Sequence, residues 1–358
     1  MPSKFIVFLV FLVTGFAFQV GAVTIPNELG APRAGGLPRE QSSAYEILYG
    51  SVRVGGEVQR VIVTNPPGEG PKPALFFVGG LGCYSLDFSG TGPKAAAYQR
   101  ILDEVTKLGY VTMRVEKTGM GDSVGTPCAN QDFKREVAGN LAGLKALVSY
   151  PFVKRDQVYI FGHSIGGVIA PFLAAEVPVK AVATLGTLAS DWYSYDLSNS
   201  RRQFTLSGMS TADVDAAVSE LKIFDTEFYL NKKTPEQIVA EKPQLAGYLQ
   251  MPAHWTYMQQ LSVANPAVDW NRSKASVVIF SGSSDFIGSQ EPELRKMIQQ
   301  ANKTRGNPIR LVSVANIDHF FRAAESQEAS FQNKSILGLA LNFQESFLPI
   351  FKTEFLGL

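Results

Sequence analysis

The 358-residue chain has almost no excess of either charge: 33 Lys and Arg face 32 Asp and Glu, a formal net charge of +1. That balance offers no electrostatic footprint for nucleic acid or for an acidic membrane surface. Histidine is scarce, at three residues (His163, His254 and His319), and cysteine is scarcer, at two (Cys83 and Cys128). Scattered in this way they make no ligand cluster, so neither a metal nor an organic cofactor is expected. Two cysteines cannot carry a disulfide scaffold. The fold must rest on an apolar core, which a 45% hydrophobic composition can supply. No repeat of roughly 20–50 residues is visible, which excludes a solenoid or a propeller.

Long apolar runs are rare, and the clearest is the opening stretch, MPSKFIVFLVFLVTGFAFQVGA. One Lys, an apolar run and small residues at Val20-Gly21-Ala22 read as a signal peptide over 1–22, with an uncleaved anchor as the alternative. No Cys follows the run, which argues against a bacterial lipoprotein. A secreted or periplasmic location is therefore expected, with no stable membrane insertion after cleavage. In an oxidising compartment an even cysteine count favours a Cys83–Cys128 bridge over two free thiols.

Residues 23–43, rich in Pro, Gly and polar side chains, read as a flexible arm. Alternating patterns at Ile47–Val54 and Val58–Thr64 flank Gly55-Gly56, which predicts a hairpin. PALFFVGG is a continuous apolar run, as a strand buried on both faces should be. Helical and strand patterns then alternate through AAAYQRILDEVTKLG, YVTMRVE, DFKREVAGNLAGLKALVSY, QVYIFG, GGVIAPFLAAE and VKAVATLGT. The alternation resumes with ASVVIFSG, SQEPELRKMIQQANK, IRLVSVA and a last helix over KSILGLALNFQESFLPIFK. There Ile336, Ala340, Phe343 and Phe347 share a face that packs on the body, and Asn342, Gln344 and Glu345 make it a poor membrane span. The alternation predicts a mostly parallel sheet with helices on both faces, in two parts, 44–187 and 269–358. Only helical patterns lie between, at 188–268, including a capping box from Thr234 to Gln237. This block has no evident core of its own and reads as a lid inserted over the sheet edge.

Two stretches read Gly-x-Ser-x-Gly: GDSVG at 121–125 and GHSIG at 162–166. A serine nucleophile needs a strand, a sharp turn and a helix whose N-terminus favours negative charge. VYIFGHSIGGVIAPFLAAE supplies all three. After Ser123, Gly125 and Pro127 forbid an immediate helix. Ser164 is thus the candidate nucleophile, and Ser123 a loop residue.

Serine needs a base. His163 lies inside the elbow and His254 in the helical block, so packing roles suit both. His319 leaves the strand IRLVSVA at the sheet edge where the elbow sits, and elimination selects it. Asp285, leaving VVIF at the same edge, is the better orienting carboxylate. Asp318 adjoins His319 in sequence, and neighbours rarely present their side chains to each other.

The order Ser164, Asp285, His319 resembles that of the α/β-hydrolase superfamily. The HSIGG elbow and helical block look most like its serine-aminopeptidase-like and monoacylglycerol-lipase-like branch. The resemblance spans about Ser51 to Leu348 and implies an α/β-hydrolase fold. It also implies that Gly119-Met120-Gly121-Asp122-Ser123-Val124-Gly125 is a structural loop, and that 188–268 occupies the usual lid position. Relatives form the oxyanion hole from the amide after the nucleophile, here Ile165, and from a His-Gly-x loop. Here Gly79-Gly80-Leu81-Gly82 replaces that loop, with Gly79 where the His stands, which implies Leu81 or Gly82 as the second donor. In such a fold the loops bearing Cys83 and Cys128 leave adjacent strands, so a bridge between them is attainable.

The expected function is hydrolysis of a carboxylic ester through an acyl-enzyme, with a small-molecule ester or peptide-like compound as substrate. An aminopeptidase is the alternative, for which a lid carboxylate among Asp191, Asp196, Asp225 and Glu227 would bind the substrate amine. Acyl transfer and a non-catalytic binding module are further alternatives. Arg201-Arg202 reads as a solvated pair rather than an anion site. Oligomeric state is not legible.

Overall fold

The computed structural model describes residues 29, 37–89, 96–333 and 342–357. The expected signal peptide, most of the arm and Ile336 and Ala340 of the last helix lie outside the described residues.

The hairpin forms as predicted, from β1 (Glu46–Val54) and β2 (Glu57–Asn65), paired antiparallel around Gly55 and Gly56, both at positive φ. β3 (Lys72–Val78), α1 (Ala96–Lys107), β4 (Val111–Val115), α2 (Phe133–Ser149), β5 (Val153–His163), α3 (Ile165–Glu176) and β6 (Ala181–Leu185) follow. The eight strands order β1-β2-β4-β3-β5-β6-β7-β8, with β7 at Ser276–Gly282 and β8 at Ile309–Val314. Every pairing from β4 to β8 is parallel.

The continuous apolar runs are explained by their period of two. Ala74, Phe76 and Val78 of β3 join one core cluster with Val158 and Ile160 of β5 and with α2 and α3. Leu75 and Phe77 face the other way, into a cluster with Phe161, with Ile101 and Val105 of α1, and with the C-terminal phenylalanines. Both faces of β3 and β5 are therefore apolar, and in these strands polar chemistry is left to the loops at their ends.

β5 starts earlier than its apolar pattern suggests. Lys154, Arg155 and Asp156 are exposed, so the strand's first residues carry no apolar signal. The predicted last helix does not run unbroken: residues 342–346 are not helical. Phe343 pairs with Arg322 in an antiparallel bridge, and Gln344 N–H donates to the Phe321 carbonyl. After this break comes α11 (Phe347–Phe351), which runs on as a π turn to Leu356. Here strand pairing overrides a helical pattern. Phe347, Phe351 and Phe355 lie on the face buried against the sheet.

Residues 188–268 hold helices only. These are α4 (Trp192–Leu206), α5 (Thr211–Asp225) with a π turn at Thr226–Leu230, α6 (Pro235–Glu241), α7 (Trp255–Leu261) and α8 (Pro266–Asp269). Phe224, Phe228 and Tyr248 stack inside the block, and their cluster is continuous with that of the sheet. α9 (Glu291–Ala301) and α10 (Gln327–Gln332) complete the body. No helix among the described residues is long and apolar enough to cross a membrane.

Candidate active site

β5 ends at His163, α3 begins at Ile165, and Ser164 sits between them at φ 55 and ψ −120. That is a costly conformation for a residue with a Cβ, and it persists only because its surroundings over-determine it. The Ser164 amide donates to the Leu185 carbonyl of β6 at 2.9 Å, and its carbonyl accepts from Gly167 N–H at 2.9 Å. The flanking glycines are steric necessities. A Cβ at Gly162 would lie 2.4 Å from the Gly166 carbonyl oxygen, and one at Gly166 would lie 2.2 Å from that of Val78. Ser164 is partly exposed at the tip, and its hydroxyl bonds to no other described residue.

Asp285 follows β7 and His319 follows β8. His319 Nδ1 lies 3.0 Å from Asp285 Oδ2, with both side chains buried. The other carboxylate oxygen accepts from Ile287 N–H at 2.8 Å and Gly288 N–H at 2.7 Å. Burial pushes the Asp285 carboxyl up. The charge of His319 and the donated hydrogen bonds outweigh that and hold it below the usual range. A carboxylate can only accept, so Nδ1 carries a proton, and in the neutral ring Nε2 is left with a lone pair. Nε2 has no hydrogen-bond partner among the described residues. A Cβ on Gly186, next to Leu185, would lie 2.8 Å from the His319 ring and 3.3 Å from Asp285 Oδ2. The acid and histidine therefore stand over the end of β6, beside the elbow.

Asp318 turns elsewhere. It forms a buried ion pair with Arg322 Nε at 2.7 Å and also accepts from Ser330 Oγ at 2.8 Å. His254 caps α7, with Nδ1 2.7 Å from Thr256 Oγ1.

The loop after β3 packs on the elbow: a Cβ on Gly80 would lie 3.4 Å from Ser164 Cβ. The amides of Leu81 and Ile165 make no hydrogen bond to another described residue. Cys83, two positions on from Leu81, is disulfide-bonded to Cys128, with the two Cα atoms 5.7 Å apart. The bridge joins this loop to the one after β4.

Several contacts here are invisible in the sequence because they join distant residues. His163 Nε2 lies 2.7 Å from the His319 carbonyl oxygen, and its Nδ1 lies 2.6 Å from the Tyr98 hydroxyl. A carbonyl cannot donate, so Nε2 carries the His163 proton and Nδ1 accepts from Tyr98. Burial, then the His319 charge, push His163 down to about 3, which keeps its ring neutral. The acid loop is tied to the helical block: Tyr195 donates to the Ile287 carbonyl at 2.8 Å, and Asn199 to those of Phe286 and Ile287 at 2.9 Å. Arg202, expected to be solvated, donates to the carbonyls of Phe286 and Gly288 at 3.0 Å. Only Arg201 is exposed, paired with Asp215.

Residues 86–319 match the family described as Serine aminopeptidase, S33. No curated protein matches the chain. Among solved structures, the Pyrococcus horikoshii acylaminoacyl peptidase is 11% identical over 87% of this chain and 42% of its own length, with a TM-score of 0.53. Acetyl xylan esterase 1 from Thermoanaerobacterium sp. JW/SL YS485 is 18% identical over 83% of both chains, with a TM-score of 0.49. At such identities the likeness is one of fold. The match of 86–319, more than half of the chain, shows that it belongs to the serine aminopeptidase (S33) family of α/β-hydrolases.

Proposed function

We propose that the protein is an exported serine hydrolase that cleaves carboxylic esters through Ser164, His319 and Asp285. The observation that carries this reading is the strained Ser164 at a strand-to-helix elbow, beside a buried His319–Asp285 pair in which His319 Nε2 has no partner among the described residues. Ser164 Oγ attacks the carbonyl carbon and His319 Nε2 takes its proton. Asp285 holds the tautomer and stabilises the imidazolium. The amides of Ile165 and Leu81 bind the oxyanion, helped by the N-terminus of α3. His319 returns the proton to the leaving alcohol, and water then releases the acyl group by the same steps. The block at 188–268 acts as a lid that supplies pocket walls, with α4 as its fixed edge. The Cys83–Cys128 bridge and the apolar N-terminal stretch support export.

A second reading is a peptidase acting at a substrate's N-terminus. Two observations favour it: the family's description, and Asp225, whose two carboxylate oxygens are buried without a partner near Asp196. A substrate ammonium there would favour the charged form of these carboxyls and pair with it. Turnover by purified protein of esters of graded chain length and of aminoacyl amides, with Ser164→Ala as blank, separates the two. Ester turnover dominating supports the first reading, amide turnover dominating supports the second, and neither above blank removes both.

A further inference from the structure

The Gly80–Leu81 peptide is held from its carbonyl side by two polar groups, buried Lys117 and partly buried Tyr84. The Gly80 carbonyl oxygen accepts from Lys117 Nζ at 2.8 Å and from the Tyr84 hydroxyl at 2.9 Å. Lys117 is buried and paired with buried Glu136 at 3.0 Å, and its ammonium also lies 5.4 Å from the centre of the Tyr84 ring. Glu136 is on α2, so the support reaches through the sheet face to a rigid helix. On the other side of the residue, Gly80 N–H donates to the Tyr98 hydroxyl at 3.3 Å.

A peptide unit is planar and trans, so fixing the Gly80 oxygen fixes the direction of the Leu81 N–H, which points the opposite way. A charged donor on the carbonyl also polarises the unit and strengthens its N–H as a donor. A buried lysine is costly unless it is paired and bonded, and here Glu136 provides the pairing. The space is made by the substitution at Gly79, since a Cβ there would lie 2.9 Å from the Tyr84 hydroxyl.

We propose that Lys117, with Tyr84, is a positioning residue that orients and polarises the Leu81 amide toward the oxyanion. This rests on the reading of Ser164 as nucleophile and Leu81 as donor. The support acts on charge that develops only in the transition state, so its loss falls on kcat and not on KM.

The test uses the full-length protein with its disulfide intact. Lys117→Met is combined with Glu136→Gln, so that no lone charge is buried, and Tyr84→Phe is made separately. For each, kcat is measured per site titrated with a fluorophosphonate, along with KM for a small activated ester and Ki for an alkylboronic acid, which forms a tetrahedral adduct. The double variant should lose about 10–100-fold in kcat, less than the loss of a whole oxyanion donor. KM should stay within about twofold, and the boronate Ki should rise in parallel with the loss of kcat/KM. Tyr84→Phe should show the same pattern at smaller size. A wild-type kcat, a loss carried by KM, or a fall in kcat with unchanged boronate affinity overturns the proposal. If the double variant does not fold, a wild-type boronate Ki in Tyr84→Phe overturns it alone. A wild-type protein that neither turns over ester nor takes fluorophosphonate fails the hydrolase reading itself, and this proposal falls with it.

Discussion

The loops at 121–125 and 162–166 share a five-residue pattern and use it in opposite ways. At 162–166 the glycines let β5, α3 and β3 converge, and the serine sits partly exposed at the tip with its hydroxyl bonded to no other described residue. At 121–125 the serine is buried, and its Oγ accepts the Arg60 amide at 3.0 Å. Val124 bonds Val58 in both directions, at 2.8 and 2.7 Å, and Asp122 pairs with buried Arg60 at 2.6 Å. One loop spends strain to expose a hydroxyl. The other uses its polar groups to tie β2 to the loop after β4. What separates them in sequence is the next few residues: Gly167 onward continues a helix, while Gly125 and Pro127 prevent one.

The largest effect should come from breaking the first loop. Ser164→Ala should lose about 10⁶-fold in turnover, the scale for removing an activated serine. Ser123→Ala should keep turnover per folded molecule, measured with the same ester. Next is the choice of carboxylate. Asp285→Asn should cost about 10⁴-fold in kcat, because Nδ1 loses its partner of fixed tautomer. Asp318→Asn should instead lower the melting temperature, since its carboxylate serves Arg322 and Ser330. Equal kcat losses in the two would erase the distinction.

The second loop should reveal itself in stability. Asp122→Ala leaves the Arg60 guanidinium buried without its partner and should cost about 3–5 kcal/mol by urea unfolding. An Asp122→Ala protein as stable as wild type would show that the loop is not the tie described.

The smallest effect contrasts Asp122, which is paired, with Asp225, which is not. Burial, then the Asp196 charge, push Asp225 up to about 10 from 3.8, and burial pushes Asp196 up to about 7. The folded protein therefore keeps protons that the unfolded chain has lost, and stability falls as pH rises from about 4 through those values. Asp225→Asn should remove part of that slope. Its melting temperature relative to wild type should climb between pH 5 and pH 9, by calorimetry at matched ionic strength, and a constant difference would contradict the assignment.

The sequence was most informative where the signal is local. The period-two runs of β3 and β5, the capping box at Thr234 and the breakers after Ser123 each act within a few residues, and each appears in the structure as expected. His319 and Asp285 stand side by side, because parallel strands bring their ends to one edge. The break at 342–346 in the C-terminal helical pattern was not legible, since the Arg322–Phe343 bridge joins residues 21 apart in sequence and outweighs a helical pattern. Nor were the partners of His163, Lys117 and Arg202. Each bonds to a backbone carbonyl far along the chain, and a carbonyl leaves no trace in residue identity.

The central claim, that only the 162–166 loop carries a nucleophile, is tested most directly by treating the native protein with a fluorophosphonate and mapping the adduct by mass analysis of its peptides. The account predicts one modified peptide, carrying the adduct on Ser164, and none in Ser164→Ala. An adduct on Ser123, or labelling that persists in Ser164→Ala, would contradict it.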